Sequence, residues 1–280
     1  MIIDFHTHVF PPWVLKERES FCRTDACFGM LYENPAARLA VADDLLRSMD
    51  EERIDVSVVL NIGWTTHEMC VRTNDYLLEV ALLHPDRLVA FCSVNPGDGY
   101  LAVEELQRCA RSGAKGIGEL RPDIQGYTLG SPELDAMVQA ADETGMVILS
   151  HVSEPVGHTY PGKGAIGPEQ AYRFAMSHPD VPLVCAHWGG GLPFYALMPE
   201  VKRTLANTYF DTAASHYLYE NAVFQTVGSL VGADKILLGS DYPLIRQSRA
   251  MAEVERSTLV DADKRLVLGG NASRLLGLES

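Results

Sequence analysis

The sequence has no long apolar run and little positive charge. No stretch of about 18 apolar residues occurs, which argues against a membrane-spanning helix, and the start lacks the basic, apolar and small-residue regions of a signal peptide. We therefore expect a cytoplasmic protein. The 23 Lys and Arg residues against 37 Asp and Glu give a formal net charge of −14. This balance argues against binding to nucleic acid or an anionic membrane, because both need a basic surface.

Two short motifs are also missing. None of the six cysteines forms a Cys-x-x-Cys pair, the tight spacing usual for thiol metal and redox sites, so we expect reduced thiols. No Gly-x-Gly-x-x-Gly turn follows the first apolar run. Its absence disfavours an open doubly wound sheet, which is the alternative to the fold predicted next.

Eight short apolar runs alternate with longer amphipathic stretches. The runs are rich in Val, Ile and Leu with little polar alternation, as in strands covered on both faces. They span 2–5, 55–61, 87–94, 114–120, 146–151, 181–187, 207–212 and 235–241. The chain has 280 residues, close to the roughly 250 of a typical (β/α)₈ barrel. The pattern predicts one α/β domain over residues 1–280, folded as a TIM barrel.

The amphipathic stretches between these runs predict helices. They lie at about 40–53, 68–84, 100–112, 132–144, 168–178, 193–205, 217–231, 246–257 and 271–278. The first connection, over residues 9–38, is long and contains several prolines, so we predict an extended β1α1 loop. Loops of that length usually serve as lids or binding loops.

Titratable residues stand at five of the predicted strand ends, where a barrel of this kind places its active site. The first strand ends in His6 and His8, and the i, i+2 spacing directs both side chains to one side of a strand. Strands 4, 5, 6 and 8 end in Glu119, His151, His187 and Asp241. One His-x-His pair is a weak signal, but ligand-type residues at five strand ends predict a divalent-metal site.

These motifs resemble the amidohydrolase superfamily, in particular the amidohydrolase-related group that includes aminocarboxymuconate-semialdehyde decarboxylase. The matching segments are residues 4–8 (Asp-Phe-His-Thr-His), His151, 187–190 (His-Trp-Gly-Gly), 239–243 (Gly-Ser-Asp-Tyr-Pro) and 270–278, and they span nearly the whole chain. The resemblance implies that His6, His8, His151 and Asp241 bind one divalent ion, most often zinc. It also implies that His187 is a catalytic histidine near that ion.

Glu119 is open to two interpretations. Binuclear members of the superfamily carry a bridging carboxylated lysine or a glutamate at the end of strand 4, so Glu119 could bridge two ions, with His151 and His187 holding the second. Alternatively, Glu119 orients a ligand histidine or binds substrate. We expect one ion rather than two, and Zn²⁺ with Mn²⁺ as the alternative, although such ligands also accept iron or cobalt.

A metal-dependent hydrolase of a small ester, lactone or amide is the leading functional prediction. Metal-activated water would attack, Asp241 would act as general base, and His187 would stabilise the oxyanion or donate a proton. The alternative is a non-oxidative decarboxylase of a small unsaturated or aromatic carboxylic acid, which uses the same groups to protonate carbon. A third interpretation, binding without turnover, is disfavoured because it needs no general base. The motifs do not separate hydrolysis from decarboxylation.

Residues just beyond the strand ends are candidates for substrate binding. Arg121 follows Glu119 by two residues, and its planar guanidinium suits a carboxylate or phosphate, with a surface ion pair as the alternative. The aromatic candidates are Trp64, His158, Tyr160 and Trp188, although aromatics in such places often serve only in packing. The expected partner is a small-molecule substrate. The sequence does not fix the oligomeric state, for which a homodimer is one candidate.

Overall fold

Eight parallel strands form one sheet in the computed structural model, which describes residues 1–278. They are Ile3–His8 (β1), Val56–Leu60 (β2), Leu88–Cys92 (β3), Gly116–Leu120 (β4), Val147–Ser150 (β5), Leu183–Cys185 (β6), Thr208–Asp211 (β7) and Ile236–Leu237 (β8). Their order in the sheet is their order in the chain. The Phe5 amide donates to the Leu238 carbonyl at 2.7 Å, and Thr7 bridges Tyr242, so the chain after β8 returns to β1. The predicted (β/α)₈ barrel and its eight strands are confirmed.

Helices follow every strand. They are Pro12–Lys16 (α1), Arg18–Thr24 (α2), Ala26–Tyr32 (α3), Ala42–Glu52 (α4), His67–Leu83 (α5), Tyr100–Arg111 (α6), Pro122–Gln125 (α7), Asp135–Thr144 (α8), Pro168–Ser177 (α9), Pro199–Thr204 (α10), Ser215–Leu218 (α11), Val223–Val231 (α12), Gln247–Arg256 (α13), Asp261–Arg265 (α14) and Asn271–Leu276 (α15). Within residues 1–278, no helix combines the length and apolar character needed to cross a membrane.

The helix predicted at 193–205 is shorter than expected. Only α10 is α-helical there, because the chain from 187 to 197 winds irregularly, with positive φ from Trp188 to Gly191. Glycine tolerates such angles and Trp188 does not do so readily. This strained stretch follows β6 directly, at the end of the barrel where the titratable residues gather.

The predicted β1α1 loop is folded rather than irregular. It contains α1, α2 and α3, which pack through an aromatic cluster: Phe28 stacks on Trp64 with ring centroids 5.5 Å apart, and Phe10 meets Phe28 edge-on at 5.9 Å. The Arg18 guanidinium donates to the backbone carbonyls of Tyr32, Asn34 and Ala37. The segment therefore packs on Trp64 through this aromatic cluster, and Arg18 ties the parts of the segment to one another.

A one-residue bulge in β1 aims the first two ligand candidates. The register between β1 and β2 shifts between Asp4 and Thr7. Before the shift, Ile3 and Phe5 belong to the apolar cluster inside the barrel. An extra residue reverses the alternation of side chains, so the two histidines after the bulge also turn inward instead of outward.

A second bulge, in β4, directs the Glu119 side chain to the inside of the barrel. Ile117 and Leu120 are three positions apart, yet both pack in the cluster between strands and helices, because the register to β5 shifts between them. Gly118 sits in the bulge at φ +147°, and a Cβ there would stand 2.5 Å from the Leu149 carbonyl oxygen. Only glycine fits this position, and the bulge leaves Glu119 on the inner side.

We expect Gly118→Ala to destabilise the protein by roughly 3 kcal/mol or more. Positive φ costs about 1–2 kcal/mol for a residue with a Cβ, and overpacking against a fixed backbone adds about 1–3 kcal/mol. The matched control is Gly126→Ala, since Gly126 has φ +86° but open space where a Cβ would stand. The free energy of unfolding in urea measures both variants. Equal losses would show that the β4 bulge imposes no steric constraint.

Candidate metal centre

The two imidazoles of β1 form one side of a buried cluster at the carboxyl ends of the strands. The Nε2 atoms of His6 and His8 lie 3.0 Å apart, and His6 has no exposed surface. The Nδ1 atom of His6 lies 2.8 Å from Asp211 Oδ2. A carboxylate only accepts hydrogen bonds, so Nδ1 carries a proton and Nε2 is the ring nitrogen left for a metal ion, which would take the place of any proton there.

The carboxylate of Glu119 occupies the middle of the cluster. Its Oε2 atom lies 3.8 Å from His8 Nε2 and 4.0 Å from His6 Nε2. Its Oε1 atom lies 2.8 Å from His151 Nδ1 and 3.5 Å from His187 Nε2. Each oxygen of Glu119 therefore faces a different pair of histidines.

Asp241 completes the side of the cluster formed by β1. Its Oδ1 atom lies 3.4 Å from His8 Nε2 and 3.9 Å from His6 Nε2. Its backbone has φ +64°, an unfavourable angle for a residue with a Cβ, and its amide donates to the His6 carbonyl at 2.9 Å. Strain of this kind is common where a side chain must be aimed into a site.

The donor atoms on this side fit one divalent ion. His6 Nε2, His8 Nε2, Asp241 Oδ1 and Glu119 Oε2 have measured separations from 3.0 to 4.0 Å. Donors that bind one ion at about 2.0–2.2 Å lie no more than roughly 4.4 Å apart. In addition, His8 Nδ1 is buried with no hydrogen-bond partner among residues 1–278, so hydrogen bonds do not by themselves explain how the His8 ring is held.

His151 lies with the other oxygen of Glu119 rather than with the β1 histidines. The Gly164 amide donates to Ser153 Oγ at 3.0 Å, and that hydroxyl lies 2.8 Å from His151 Nε2. With Nδ1 on Glu119, both ring nitrogens of His151 are engaged. His151 remains a predicted ligand, and it would reach an ion beside His6 only by releasing one of these bonds.

His187 also has a defined orientation. Its Nδ1 atom lies 3.1 Å from the Ala213 carbonyl, which only accepts, so Nδ1 donates and Nε2 points towards Glu119. Glu119, His151 and His187 form a second group of candidate donors within 4.8 Å of one another, as do His6, His8 and Glu119. A bridging role for Glu119 is therefore compatible with the distances, and binding of one ion stays a prediction.

The charges of the cluster suit a cation. Burial disfavours a charged imidazole, but Asp211, Glu119 and Asp241 outweigh it and raise the pKa of His6 to about 10. Burial likewise works against the two facing carboxylates, but the histidines hold the pKa of Glu119 well below its usual value and lower that of Asp241 to about 2. Burial, then the charge of Arg121, lowers the pKa of His151 to about 4. The carboxylates are thus anionic and His151 is neutral.

Asp211 is the functional residue that sequence reasoning missed. It has no exposed surface, and its Oδ1 atom accepts from the amides of His187 at 2.9 Å and Ala213 at 3.0 Å while Oδ2 faces His6. Asp211 thereby ties β1 to β6 and β7. Asp211 could have been found from its position, because it stands at the end of β7 as the other site residues stand at the ends of their strands.

Of the predicted substrate-binding aromatics, two belong to the packing. Trp64 and Trp188 have no exposed surface; the Trp64 indole donates to Asn61, and that of Trp188 to Ser215 Oγ at 3.0 Å. His158 is exposed and Tyr160 half-buried, both in the connection after β5, where the Tyr160 hydroxyl donates to Glu154 at 3.2 Å. Arg121 is buried rather than part of a surface ion pair.

Comparisons with known proteins cover nearly the whole chain. The family model described as amidohydrolase matches residues 3–278. The 2-amino-3-carboxymuconate-6-semialdehyde decarboxylase of Dictyostelium discoideum is 20% identical over 99% of this chain and 92% of its own length. The gamma-resorcylate decarboxylase of a Polaromonas strain is 24% identical over 86% and 88%. The crystal structure of a 5-carboxyvanillate decarboxylase from Novosphingobium aromaticivorans, complexed with manganese, has a TM-score of 0.80 at 16% identity over 99% and 96%.

These comparisons correct the leading functional prediction. The named relatives are decarboxylases, so the predicted hydrolysis of a small ester, lactone or amide is wrong. The error has a physical reason, because both reactions need a bound cation and proton-transfer groups at the same strand ends. The residues of the site alone therefore do not tell which bond is broken.

We expect Asp211→Asn to weaken metal binding about 10–100-fold, the usual effect of losing a carboxylate behind a ligand histidine. The Asn oxygen would accept from the two backbone amides, so its NH₂ group would face His6 Nδ1 and move the His6 proton to Nε2. Competition against a chelator measures the affinity, with Asp180→Asn, at an exposed position, as control. An unchanged affinity in Asp211→Asn would contradict this role.

Proposed function

Because this chain belongs to the amidohydrolase family, whose model matches residues 3–278, we propose that it is a metal-dependent decarboxylase of a small unsaturated or aromatic carboxylic acid. The observation that carries the proposal is the buried cluster of His6, His8, Glu119 and Asp241, with His187 beside it. The reactions named for the relatives support the choice of decarboxylation. The substrate is small because the cluster lies almost entirely below the surface.

The metal part of the proposal is one divalent ion held by His6, His8 and Asp241, with Glu119 or a rotated His151 as a further ligand. Zinc remains our first expectation and manganese the alternative, since imidazole and carboxylate ligands accept both. A divalent ion in this place supplies positive charge that orients the oxygens of the substrate and draws electron density from the bond to be broken.

Decarboxylation breaks a carbon–carbon bond, releases carbon dioxide and leaves an electron pair on carbon, which then takes a proton. We assign the delivery of that proton to Asp241. Asp241 is anionic before substrate binds, so it must first take up a proton. Its Oδ1 faces the β1 histidines, which leaves Oδ2 to accept that proton and pass it to the substrate carbon. Asp241 also has 15% of its side chain exposed, against none for His6, so it can exchange protons with solvent between turnovers.

We assign to His187 a contact with the substrate during decarboxylation. Its Nδ1 proton is committed to the Ala213 carbonyl, so only Nε2 can contact a reactant. That atom lies 3.5 Å from Glu119 Oε1 and can donate to a substrate oxygen while charge develops. The Asp211 carboxylate accepts from the backbone amide of His187 and so couples its position to that of His6.

The metal-loaded protein should release carbon dioxide from an aromatic or unsaturated acid in a screen that includes 2,6-dihydroxybenzoate and 5-carboxyvanillate. Asp241→Asn, assayed at saturating metal, should lower kcat about 10²–10⁴-fold, the usual contribution of a positioned proton donor. Asp86→Asn, at an exposed position, is the control. Full activity in Asp241→Asn would exclude the assigned donor, and turnover of esters or lactones without carbon dioxide release would overturn the function.

A further inference from the structure

The Arg121 guanidinium is buried without the partners that such a group requires. The residue is 1% exposed, and its Nε and Nη2 atoms have no hydrogen-bond partner among residues 1–278. The nearest carboxylate oxygen, Asp123 Oδ1, lies 3.6 Å from Nε, beyond good hydrogen-bond distance. A guanidinium offers five N–H donors and is costly to bury unpaired.

A second arginine shows how this chain pairs the donors of a structural guanidinium. Arg18 donates from Nε and Nη2 to three backbone carbonyls, at distances of 2.7 to 3.0 Å. Those bonds hold the segment of α1–α3 together. Within residues 1–278, Arg121 makes no such bonds from Nε or Nη2, so a role in holding the fold does not account for it.

The free donors of Arg121 lie beside the metal centre. A Cβ built on Gly164 would stand 3.2 Å from Arg121 Nη2 and 3.2 Å from His151 Cδ2. The same Cβ would stand 2.7 Å from Asp123 Oδ2, so Gly164 packs closely here, and its lack of a side chain lets the guanidinium lie near one of the predicted ligands.

We propose that Arg121 binds a second carboxylate of the substrate, one that is retained through the reaction, so that the substrate is a dicarboxylic acid. The proposal rests on the decarboxylase function proposed above. The planar fork of a guanidinium matches a carboxylate in a two-pronged contact, and an anion would satisfy the unpartnered donors.

The carboxylate that Arg121 binds is not the one that leaves. Loss of carbon dioxide moves negative charge from the departing group onto carbon. A guanidinium paired with that group would stabilise the reactant more than the transition state and slow the reaction. A guanidinium paired with a retained carboxylate binds both states and fixes the orientation of the reacting carbon.

Two rigid probes that differ by one carboxylate test the proposal. Isophthalate (benzene-1,3-dicarboxylate) and benzoate are titrated into the metal-loaded protein by calorimetry. We expect the wild type to prefer isophthalate, and Arg121→Met to lose about 10–100-fold of isophthalate affinity, as for hydrogen bonds to a charged group, with little change for benzoate. Arg121→Lys keeps the positive charge but lacks the planar pair of donors. Its isophthalate affinity should lie between those of the wild type and Arg121→Met. The control is Arg173→Met, which removes an exposed arginine paired with Glu169.

Circular dichroism and thermal unfolding establish that the variants are folded, and Arg121→Lys carries the test if Arg121→Met is not. Equal weakening of both probes, no change in either, or a wild type without preference for isophthalate would overturn the proposal. Binding is measured without turnover, so the two proposals fail separately. Selective binding without carbon dioxide release from any acid would refute the decarboxylase and leave the Arg121 site standing.

Discussion

The buried carboxylate of Glu119 is the contact on which the site depends. One oxygen accepts from His151 and the other faces His6 and His8, so a single anion holds two groups of imidazoles in place. A buried carboxylate is stable only when donors or positive charge surround it. The β1 side of the cluster is also suited to a cation, because His6 Nε2 and the carboxylate oxygens of Glu119 and Asp241 converge on one point. The arrangement explains why so many titratable groups occur together in an otherwise apolar barrel.

Backbone irregularities place these groups. The bulges in β1 and β4 each add one residue and turn the following side chains inward, and positive φ at His187 and Asp241 aims two more. Asp211 then joins three strands, since it contacts His6 through Oδ2 and the amides of His187 and Ala213 through Oδ1. Local strain is thus concentrated at the carboxyl ends of the strands, while the regular parts of the barrel and the helices around it supply the stability.

The eight strands and the barrel could be predicted from the hydrophobic pattern alone, because short continuous apolar runs are typical of parallel strands buried on both faces. The predicted strand ends also identified six residues that do cluster: His6, His8, Glu119, His151, His187 and Asp241. What the pattern could not show depends on contacts distant in sequence: the bond of Asp211 to His6, the pairing of His151 with Glu119, and the folding of residues 9–38 into three helices around Trp64. Trp64 and Trp188 were expected near the substrate because they lie just beyond strand ends. Such a position does not reveal which way a large ring packs. The reaction itself came from the relatives, since hydrolysis and decarboxylation share these ligands.

We propose that one divalent ion binds between β1, Glu119 and Asp241. Anomalous diffraction from crystals of the protein reconstituted with zinc or manganese locates such an ion directly. We expect one anomalous peak in contact with Nε2 of His6, Nε2 of His8 and the Asp241 carboxylate. A peak found only among Glu119, His151 and His187, or two peaks bridged by Glu119, would contradict it.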